Sequence, residues 1–381
     1  MNILTSLTYY LPNISGVTIY ADILARYLAK KHKVTILTSR HQKDLPPNET
    51  KDNLMIKRLW APVKISKGII IPFFPIFALY EVIKTDLVIC HLPQVEAVFL
   101  ALWAKVFKKP IILFHHCEIA ASTGLTGKII RFVTYPSHLL SYALADKVVA
   151  HTKDYAKHSF FQKKFKNKMT FVLPPVILDK KDDEQIKKIA KTFGKNKNTK
   201  IIGFVGRIGW EKGIDILLKT IPILKRKIGN FKIVLVGPYK NIPGDKTYLK
   251  LQPLIENYKN QVIFTGPINR RKLTSYYYNF DCLVLPSISN LESFGIVQPE
   301  AMLCSCPVVA SNLPGVRMPI KLTKMGKITP INNSGKLAEN IISVLKRKNW
   351  KKEQKKAEKI FDKKIFFKKW QSLISKTKTK S

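Results

Sequence analysis

Two carboxylates stand on either side of a glycine-bearing turn in the C-terminal half of the chain. Glu292 and Glu300 are eight residues apart, and Ser293-Phe294-Gly295 between them predicts the entry to a helix. Apolar strands are predicted before this stretch at Cys282 to Leu285 and after it at Pro307 to Ala310. A strand, a turn, a helix and a strand in this order present free backbone N–H groups to an anion.

The two carboxylates would serve different ends of any ligand that they share. Eight residues of helix correspond to about 12 Å of rise and about 80° of rotation, so we expect Glu292 in the turn and Glu300 inside the helix. A nucleotide sugar has the required length, with its sugar near Glu292, its diphosphate at Ser293 to Ile296 and its ribose near Glu300. The alternative is that both carboxylates are solvated and complement the helix dipole. Pro299 requires either that regular helix begins near Val297 or that the first turn is irregular.

Two cations flank a second glycine-rich turn. A predicted strand at Ile201 to Val205 runs into Gly206-Arg207-Ile208-Gly209-Trp210-Glu211-Lys212-Gly213, ahead of a predicted helix. The Arg207 guanidinium can hold a phosphate with two parallel N–H bonds, and Lys212 supplies a point charge. Such a pair would stabilise the negative charge that builds on a departing nucleoside diphosphate. For this turn taken alone, solvated cations are the alternative; its pairing with the stretch from Glu292 to Glu300 favours phosphate binding.

Strands and helices alternate through both halves of the chain, which predicts two doubly wound α/β domains with a ligand cleft between them. We predict an N-terminal domain over 1–178, a linker over 179–198, a C-terminal domain over 199–348 and a helical tail over 349–381. One helix of the second half is predicted from Ile214 to Lys225. The apolar residues of the tail need a surface to cover, so we expect the C-terminal helix to pack back on the N-terminal domain.

Three residues of the N-terminal half lie in connections that follow predicted strands. Gly16 precedes a predicted helix, where backbone amides would meet an anion or a hydroxyl of a ligand. His115 and His116 follow a predicted strand at the edge where doubly wound sheets bind ligands. A hydrogen-bonded structural histidine is the alternative for both.

The chain of 381 residues has a formal net charge of +41, mostly from lysine. A lysine excess spread along the whole chain is typical of a compositional bias of the source organism, and also of attraction to an anionic membrane or to nucleic acid. No zinc-finger, helix-turn-helix or aromatic-basic RNP pattern is visible, so we expect no nucleic-acid partner.

Other bulk features bear on compartment. Five scattered cysteines indicate thiols in a reducing compartment rather than a disulfide framework. The N-terminus enters a strand directly, so we expect no signal peptide. The apolar run from Gly68 to Tyr80 is too short to span a bilayer, and it is either a core segment or a shallow membrane-contacting surface.

The order and spacing of these motifs resemble the family 4 retaining glycosyltransferases of GT-B fold. The resemblance covers nearly the whole chain and is strongest from Ile201 to Arg317. The segments that carry it are Gly206-Arg207, Glu211-Lys212-Gly213, Pro286-Ser287, Glu292-Ser293-Phe294-Gly295, Glu300-Ala301-Met302, Pro307-Val308-Val309-Ala310, Pro314-Gly315, His116-Cys117-Glu118-Ile119 and His151-Thr152-Lys153-Asp154-Tyr155. The sequence departs from the family where Gly16 stands without a second glycine and where Glu118 replaces an aspartate.

The resemblance implies a role for each matched residue. Arg207 and Lys212 would bind the donor diphosphate, and Glu292 would hold hydroxyls of the transferred sugar with amides of Phe294 to Ile296 nearby. Glu300 would bind the ribose. The remaining implied contacts are with His116 beside the sugar and Gly16 near the phosphate. The resemblance also implies metal-independent chemistry without a cofactor, with a UDP- or GDP-sugar as co-substrate.

These observations predict a retaining hexosyltransferase that uses a glycan or lipid-linked acceptor in cell-envelope polysaccharide or glycolipid synthesis. We expect it in the cytoplasm, in peripheral contact with the inner face of the membrane. One alternative is a nucleotide-sugar epimerase of the same fold. Another is a non-catalytic basic protein that binds membrane surfaces.

Overall fold

The computed structural model describes residues 1–65, 68–119, 125–240, 242 and 245–378. The chain divides into two compact units, one formed by Met1–Pro175 with Lys364–Ser381 and the other by Val176–Lys363. These bounds differ from the predicted ones because residues of the predicted linker and the first half of the predicted tail belong to the second unit.

The first unit contains a sheet of eight strands. Its strands, and those of a separate short antiparallel pair (β5 and β6), are β1 (Asn2–Ser6), β2 (Lys33–Ser39), β3 (Asn48–Lys51), β4 (Leu54–Leu59), β5 (Val63–Ile65), β6 (Gly68–Ile70), β7 (Leu87–Leu92), β8 (Ile111–His115), β9 (Lys147–Ala150) and β10 (Met169–Phe171). The sheet order is β10-β9-β8-β7-β1-β2-β4-β3, parallel apart from β3. The central strands are buried on both faces, which explains their nearly continuous apolar sequences.

Helices cover both faces of this sheet. They are α1 (Gly16–Ala29), α2 (Phe74–Ile83), α3 (Ala97–Val106), α4 (Leu125–Leu144) and α5 (Lys153–His158). One core lies under α1, and a separate core lies under α2, α3 and α4. The Ser15 hydroxyl caps α1 by accepting from the Thr18 N–H at 3.1 Å.

The apolar run from Gly68 to Tyr80 divides between the core and the surface. Phe74 and Ala78 on α2 are buried, whereas Ile76 and Tyr80 on the same helix are exposed. The core alternative is therefore correct for the buried part of the run, and membrane contact by its exposed part stays a prediction. None of the helices in the described ranges combines the length and the apolarity that crossing a bilayer requires.

The second unit contains a wholly parallel sheet of six strands. They are β11 (Lys200–Val205), β12 (Phe231–Val236), β13 (Val262–Gly266), β14 (Cys282–Leu285), β15 (Val308–Ser311) and β16 (Gly326–Thr329), in the order β13-β12-β11-β14-β15-β16. The predicted alternation into two doubly wound halves is thus confirmed.

The helices of the second unit are α6 (Asp183–Thr192), α7 (Ile214–Leu218), α8 (Ile221–Ile228), α9 (Thr247–Asn257), α10 (Leu273–Tyr277), α11 (Val297–Leu303), α12 (Met318–Thr323), α13 (Ser334–Lys346) and α14 (Lys351–Ile360). The single helix predicted from Ile214 to Lys225 is wrong. The stretch forms two helices, because Pro222 lies in the first turn of α8 and lacks the N–H that a continuous helix would need. The predicted linker contains α6, which packs on α10, and the Asn279 side chain donates to the Ile186 carbonyl at 3.0 Å.

The last helix, α15 (Lys363–Lys378), returns to the first unit. Its Trp370 is fully buried beside α1, and the indole N–H donates to the Tyr20 hydroxyl at 2.9 Å. Phe366 meets the Tyr20 ring edge-on at 5.2 Å between ring centroids. The predicted packing of the C-terminal helix on the N-terminal domain is confirmed.

Replacing Trp370 with alanine should lower the free energy of unfolding of the first unit by about 3–5 kcal/mol, because it empties a buried site and leaves the Tyr20 hydroxyl without its donor. Urea denaturation followed by circular dichroism measures the change. Ile365→Ala is the matched control, since this side chain of the same helix is 43% exposed and should cost less than about 0.5 kcal/mol. Equal losses in both variants would contradict a core role for Trp370.

Candidate functional site

Two loops leave the carboxyl ends of neighbouring central strands in the second unit. β11 pairs with β12 on one side and with β14 on the other, so the direction of winding reverses between β11 and β14. In open α/β sheets this reversal is where ligands bind. The loop after β11 carries Arg207 and Lys212, and the loop after β14 carries Glu292. The Ile288 N–H of the second loop donates to the Glu211 carbonyl of the first at 2.9 Å.

Glycines allow these loops to approach one another backbone to backbone. Gly213 has a φ of +64°, and a Cβ at this position would overlap the Pro286 carbonyl oxygen. Gly237, which follows β12, has a φ of +134°, and a Cβ there would overlap the Gly206 carbonyl oxygen. Both positions therefore need a residue without a side chain.

Lys212 and Glu292 form an ion pair between the two loops. The Lys212 Nζ lies 2.5 Å from the Glu292 Oε2, and the two side chains are 20% and 16% exposed. At this degree of burial the pair is screened less than a surface salt bridge. The structure thus brings two of the predicted site residues into direct contact.

Arg207 lies between two nearly buried carboxylates. Its guanidinium pairs with Glu211, and its Nη1 lies 3.5 Å from the Asp245 Oδ2. Burial alone would raise the pKa of Asp245, but hydrogen bonds from Thr247 and Trp210 and the charge of Arg207 outweigh it, and the pKa is lowered. Asp245 is therefore ionised at neutral pH, which fixes the orientation of the arginine.

The turn from Ser293 to Ile296 is anchored by a residue that the sequence did not single out. The buried Gln298 side chain donates to the Phe294 carbonyl at 2.9 Å and to the Val316 carbonyl at 2.8 Å. Gly295 has a φ of +73°, and a Cβ there would overlap the Leu285 side chain. Helix α11 begins at Val297, which accommodates Pro299 in its first turn as predicted.

Glu300 lies inside α11, whereas Glu292 precedes the helix, as the spacing predicted. The Glu300 carboxylate is fully buried, accepting from the Tyr277 hydroxyl at 2.7 Å and from Arg270 at 2.8 Å. Burial raises its pKa, which Arg270 and the bond from Tyr277 oppose. Arg270 and Tyr277 belong to a separate stretch of the chain, and no local signal marked them.

In the first unit, His116 lies directly after β8 and is buried. Its Nε2 lies 2.8 Å from the Nδ1 of His91, and its ring meets Tyr20 of α1 edge-on at 5.0 Å between centroids. Gly16 opens the same helix, one turn before Tyr20. Burial, together with neighbouring histidines, holds the pKa of His116 well below its usual range, so the ring is neutral at pH 7.

His116 belongs to a group of buried histidines around β7, β8 and β9. The His115 Nδ1 lies 2.6 Å from the Tyr142 hydroxyl, and the His138 Nε2 lies 3.2 Å from the Gln94 carbonyl. Burial lowers the pKa of His91 and His115 to about 3 and that of His138 and His151 to about 4.

The predicted site residues therefore fall into two groups. Arg207, Lys212 and Glu292 come together in adjoining loops of the second unit, with Glu300 held by its own partners. Gly16 and His116 belong to the first unit. The sequence missed Asp245, Arg270, Tyr277, Gln298 and His91, which hold the predicted residues in place.

A surface depression lies away from the predicted site residues. A depression of about 390 Å³ lies at the amino ends of β1 and β2, lined by Asn2 and Lys33 among others; parallel sheets bind ligands at the opposite edge. Within the described ranges, no group of three His, Cys, Asp or Glu side chains is arranged to hold a metal ion.

Family models match both halves of the chain. A model described as glycosyl transferases group 1 matches residues 185–361, and one described as Glycosyltransferase Family 4 matches residues 14–179. The chain is 36% identical over 133 residues to an uncharacterized glycosyltransferase of Methanocaldococcus jannaschii, covering 34% of this chain and 32% of that protein. It is 25% identical over 267 residues to a phosphatidyl-myo-inositol mannosyltransferase of Mycobacterium leprae, covering 68% and 65%. The matches thus span about one third to two thirds of these relatives.

Solved structures share the fold over nearly the full chain. The Anabaena protein HepE in complex with UDP superposes with a TM-score of 0.75 at 19% identity, covering 98% of this chain and all of that one. Sucrose-phosphate synthase of Thermosynechococcus elongatus gives a TM-score of 0.74 at 17% identity with complete coverage of both chains. The predicted GT-B fold class is confirmed.

Gly213→Ala should lower the free energy of unfolding of the second unit more than Gly194→Ala does. The expected difference between the two variants is about 1–3 kcal/mol. Both glycines have φ near +60°, but the space around Gly194 is open whereas a Cβ at Gly213 meets the Pro286 carbonyl. Urea denaturation of both variants measures the difference. Equal losses would contradict the close approach of the two loops.

The first unit should lose stability as the pH falls from 6.5 toward 4. Its six buried histidines, which are the five described above and His41, have lowered pKa values in the folded state, so below their ordinary value near 6.5 the unfolded chain binds more protons. Burial raises the pKa of Glu96 to about 7 and also raises the pKa of Glu118. These two carboxyl groups stabilise the folded state as the pH falls, but they are fewer than the histidines. Each uncompensated histidine contributes up to about 1.4 kcal/mol per pH unit.

Urea titrations of the protein at a series of pH values between 7 and 5 measure this slope. His115→Gln should make the slope shallower by about one proton. Stability that stayed constant or rose on acidification would contradict the buried, neutral state of these rings.

Proposed function

Because the chain belongs to the family 4 glycosyltransferases, whose group 1 model matches its second half, we propose that it transfers a hexosyl-type sugar from a nucleotide-sugar donor to an acceptor, with retention of anomeric configuration. The acceptor is a glycan or a lipid-linked intermediate of cell-envelope polysaccharide or glycolipid synthesis. The observation that carries this proposal is the contact between Lys212 and Glu292 at the point where the central strands reverse direction.

Two cations at this point suit a leaving diphosphate. Arg207 already has its planar guanidinium fixed by Glu211 and Asp245, and Lys212, held by Glu292, adds a second positive charge. In the transfer, the bond between the anomeric carbon and the phosphate oxygen breaks, and negative charge develops on that oxygen. Preorganised cations stabilise this charge more in the transition state than in the bound donor, which is the condition for catalysis.

The acceptor hydroxyl attacks the same face of the anomeric carbon from which the diphosphate departs. A new bond forms between the acceptor oxygen and the anomeric carbon, and the acceptor proton passes to the departing phosphate oxygen. Configuration is retained because both bonds lie on one face. No protein nucleophile is needed in this scheme, and the residues of the chain bind, orient and stabilise charge.

The remaining roles follow the family resemblance. Glu292, once a phosphate takes its place beside Lys212, accepts hydrogen bonds from hydroxyls of the transferred sugar. Gly206 and the amides of Ser293 to Ile296 face the diphosphate, and Glu300 binds the ribose. In the first unit, Gly16 approaches the phosphate, and the neutral His116 offers a hydrogen bond to the sugar.

We propose a UDP- or GDP-sugar as co-substrate, without a further cofactor or a metal in the chemistry. Among the similar structures, HepE was solved with UDP-glucose. One relative is named for transfer of mannose to phosphatidyl-myo-inositol, which favours a lipid-linked acceptor. Together with the cysteine thiols, this supports our proposal that the protein acts in the cytoplasm at the inner face of the membrane.

Arg207→Ala and Lys212→Ala should each reduce kcat by about 10²–10³-fold, because each removes a charge that stabilises the leaving group. Arg207→Lys should restore little, since an ammonium cannot donate two parallel bonds. The measurement is sugar release and transfer from UDP-, GDP- and ADP-sugars.

Lys219→Ala is the matched control. This lysine also follows β11 in the chain, but it pairs with Asp215 at the surface. Isomerised donor formed without acceptor would indicate an epimerase instead. If Arg207→Ala and Glu292→Ala both left donor binding and turnover intact, a non-catalytic basic surface-binding protein would be the better explanation.

A further inference from the structure

Three neighbouring helices of the first unit expose large apolar side chains. Helix α3 packs between α2 and α4, and the Trp103 indole N–H of α3 donates to the Pro75 carbonyl of α2 at 3.1 Å. We define the α2–α4 surface by six exposed apolar residues of these helices, which are Ile76, Phe77, Val106, Leu125, Ile129 and Phe132.

The apolar side chains of this surface are unusually exposed for a helix surface that faces water. Phe132 is 82% exposed, Leu125 is 74% exposed and Ile76 is 66% exposed. Single exposed apolar residues need no explanation, but a patch of them extending over several helices marks an interaction site. The inner faces of the same helices are already packed on the sheet, so the outer apolar residues are not needed for the core.

Within the three helices, every exposed charged residue is positive. Lys84, Lys105, Lys128 and Arg131 are exposed at or beside the three helices. The one carboxylate within the helices, Glu81, is buried and pairs with Lys57 at 2.5 Å. The surface therefore combines exposed apolar side chains with cations and carries no exposed carboxylate of its own helices.

We propose that the α2–α4 surface binds an anionic lipid bilayer, with its apolar side chains in the interfacial region and its cations against the headgroups. Apolar side chains interleaved with lysine and arginine are what such an interface accommodates. A nucleic acid would neutralise the cations but would leave Phe132 and Ile129 in water. A two-fold contact with a second copy would place Lys128 and Arg131 of both chains on one shared patch, where like charges repel.

Lipid binding of this kind is independent of the proposed sugar transfer, so each can fail without the other. The experiment is sedimentation of the full chain with vesicles of phosphatidylglycerol and phosphatidylcholine in equal parts, and with pure phosphatidylcholine. The protein should pellet with the anionic vesicles and dissociate as salt is raised. Ile129→Ser/Phe132→Ser should weaken binding by at least about tenfold. Lys128→Gln/Arg131→Gln should weaken it by roughly fivefold per charge removed.

Two control variants separate this surface from general stickiness and net charge. Leu249→Ser removes an apolar side chain that is 58% exposed on the second unit. Lys355→Gln/Lys356→Gln removes two exposed cations of α14. Both should bind vesicles as the parent does. Losses equal to those of the α4 variants, or no binding by the parent at low salt, would overturn the proposal. A dimer abolished by Ile129→Ser/Phe132→Ser, without vesicle binding, would assign the surface to a second copy and overturn it as well.

Discussion

The ion pair between Lys212 and Glu292 is the interaction on which the functional interpretation of this chain depends. It joins two loops that are far apart in sequence and adjacent only because β11 pairs with β14. The loops can hold the pair at 2.5 Å because Gly213 lets the backbone of the first loop meet that of the second at Pro286. Arg207 has acidic partners of its own in Glu211 and Asp245, so a separate carboxylate holds each of the two cations in place.

Much of the architecture could be predicted because strands buried on both faces have apolar sequences. The strand predicted from Cys282 to Leu285 matches β14 at both ends. Edge elements lacked this signal. β3, with the sequence Asn-Glu-Thr-Lys, is exposed at every residue and pairs only with β4. Its position depends on tertiary pairing rather than on a hydrophobic pattern, and sequence reasoning passed over it.

The candidate site was partly predictable for a related reason. Arg207, Lys212 and Glu292 occupy loops at strand ends, where residue type and spacing alone suggest an anion site. Asp245 and Arg270 are charged residues in a chain with many charges, and only the folded contacts distinguish them. The pairing of His91 with His116 likewise follows from the parallel register of β7 and β8, which sets His91 beside Phe114 and so brings it next to the residue after β8.

Glu300 shows how a fully buried carboxylate is held in place by two donors. Each of its oxygens accepts one hydrogen bond, from Arg270 or from Tyr277, and a carboxylate oxygen has room for a second donor. Burial favours the protonated form, whose proton would occupy a lone pair that a further donor could otherwise use, whereas Arg270 favours the ionised form. Arg270 and Tyr277 therefore hold Glu300 in one orientation, and the ribose contact that the family resemblance implies for this residue stays a prediction.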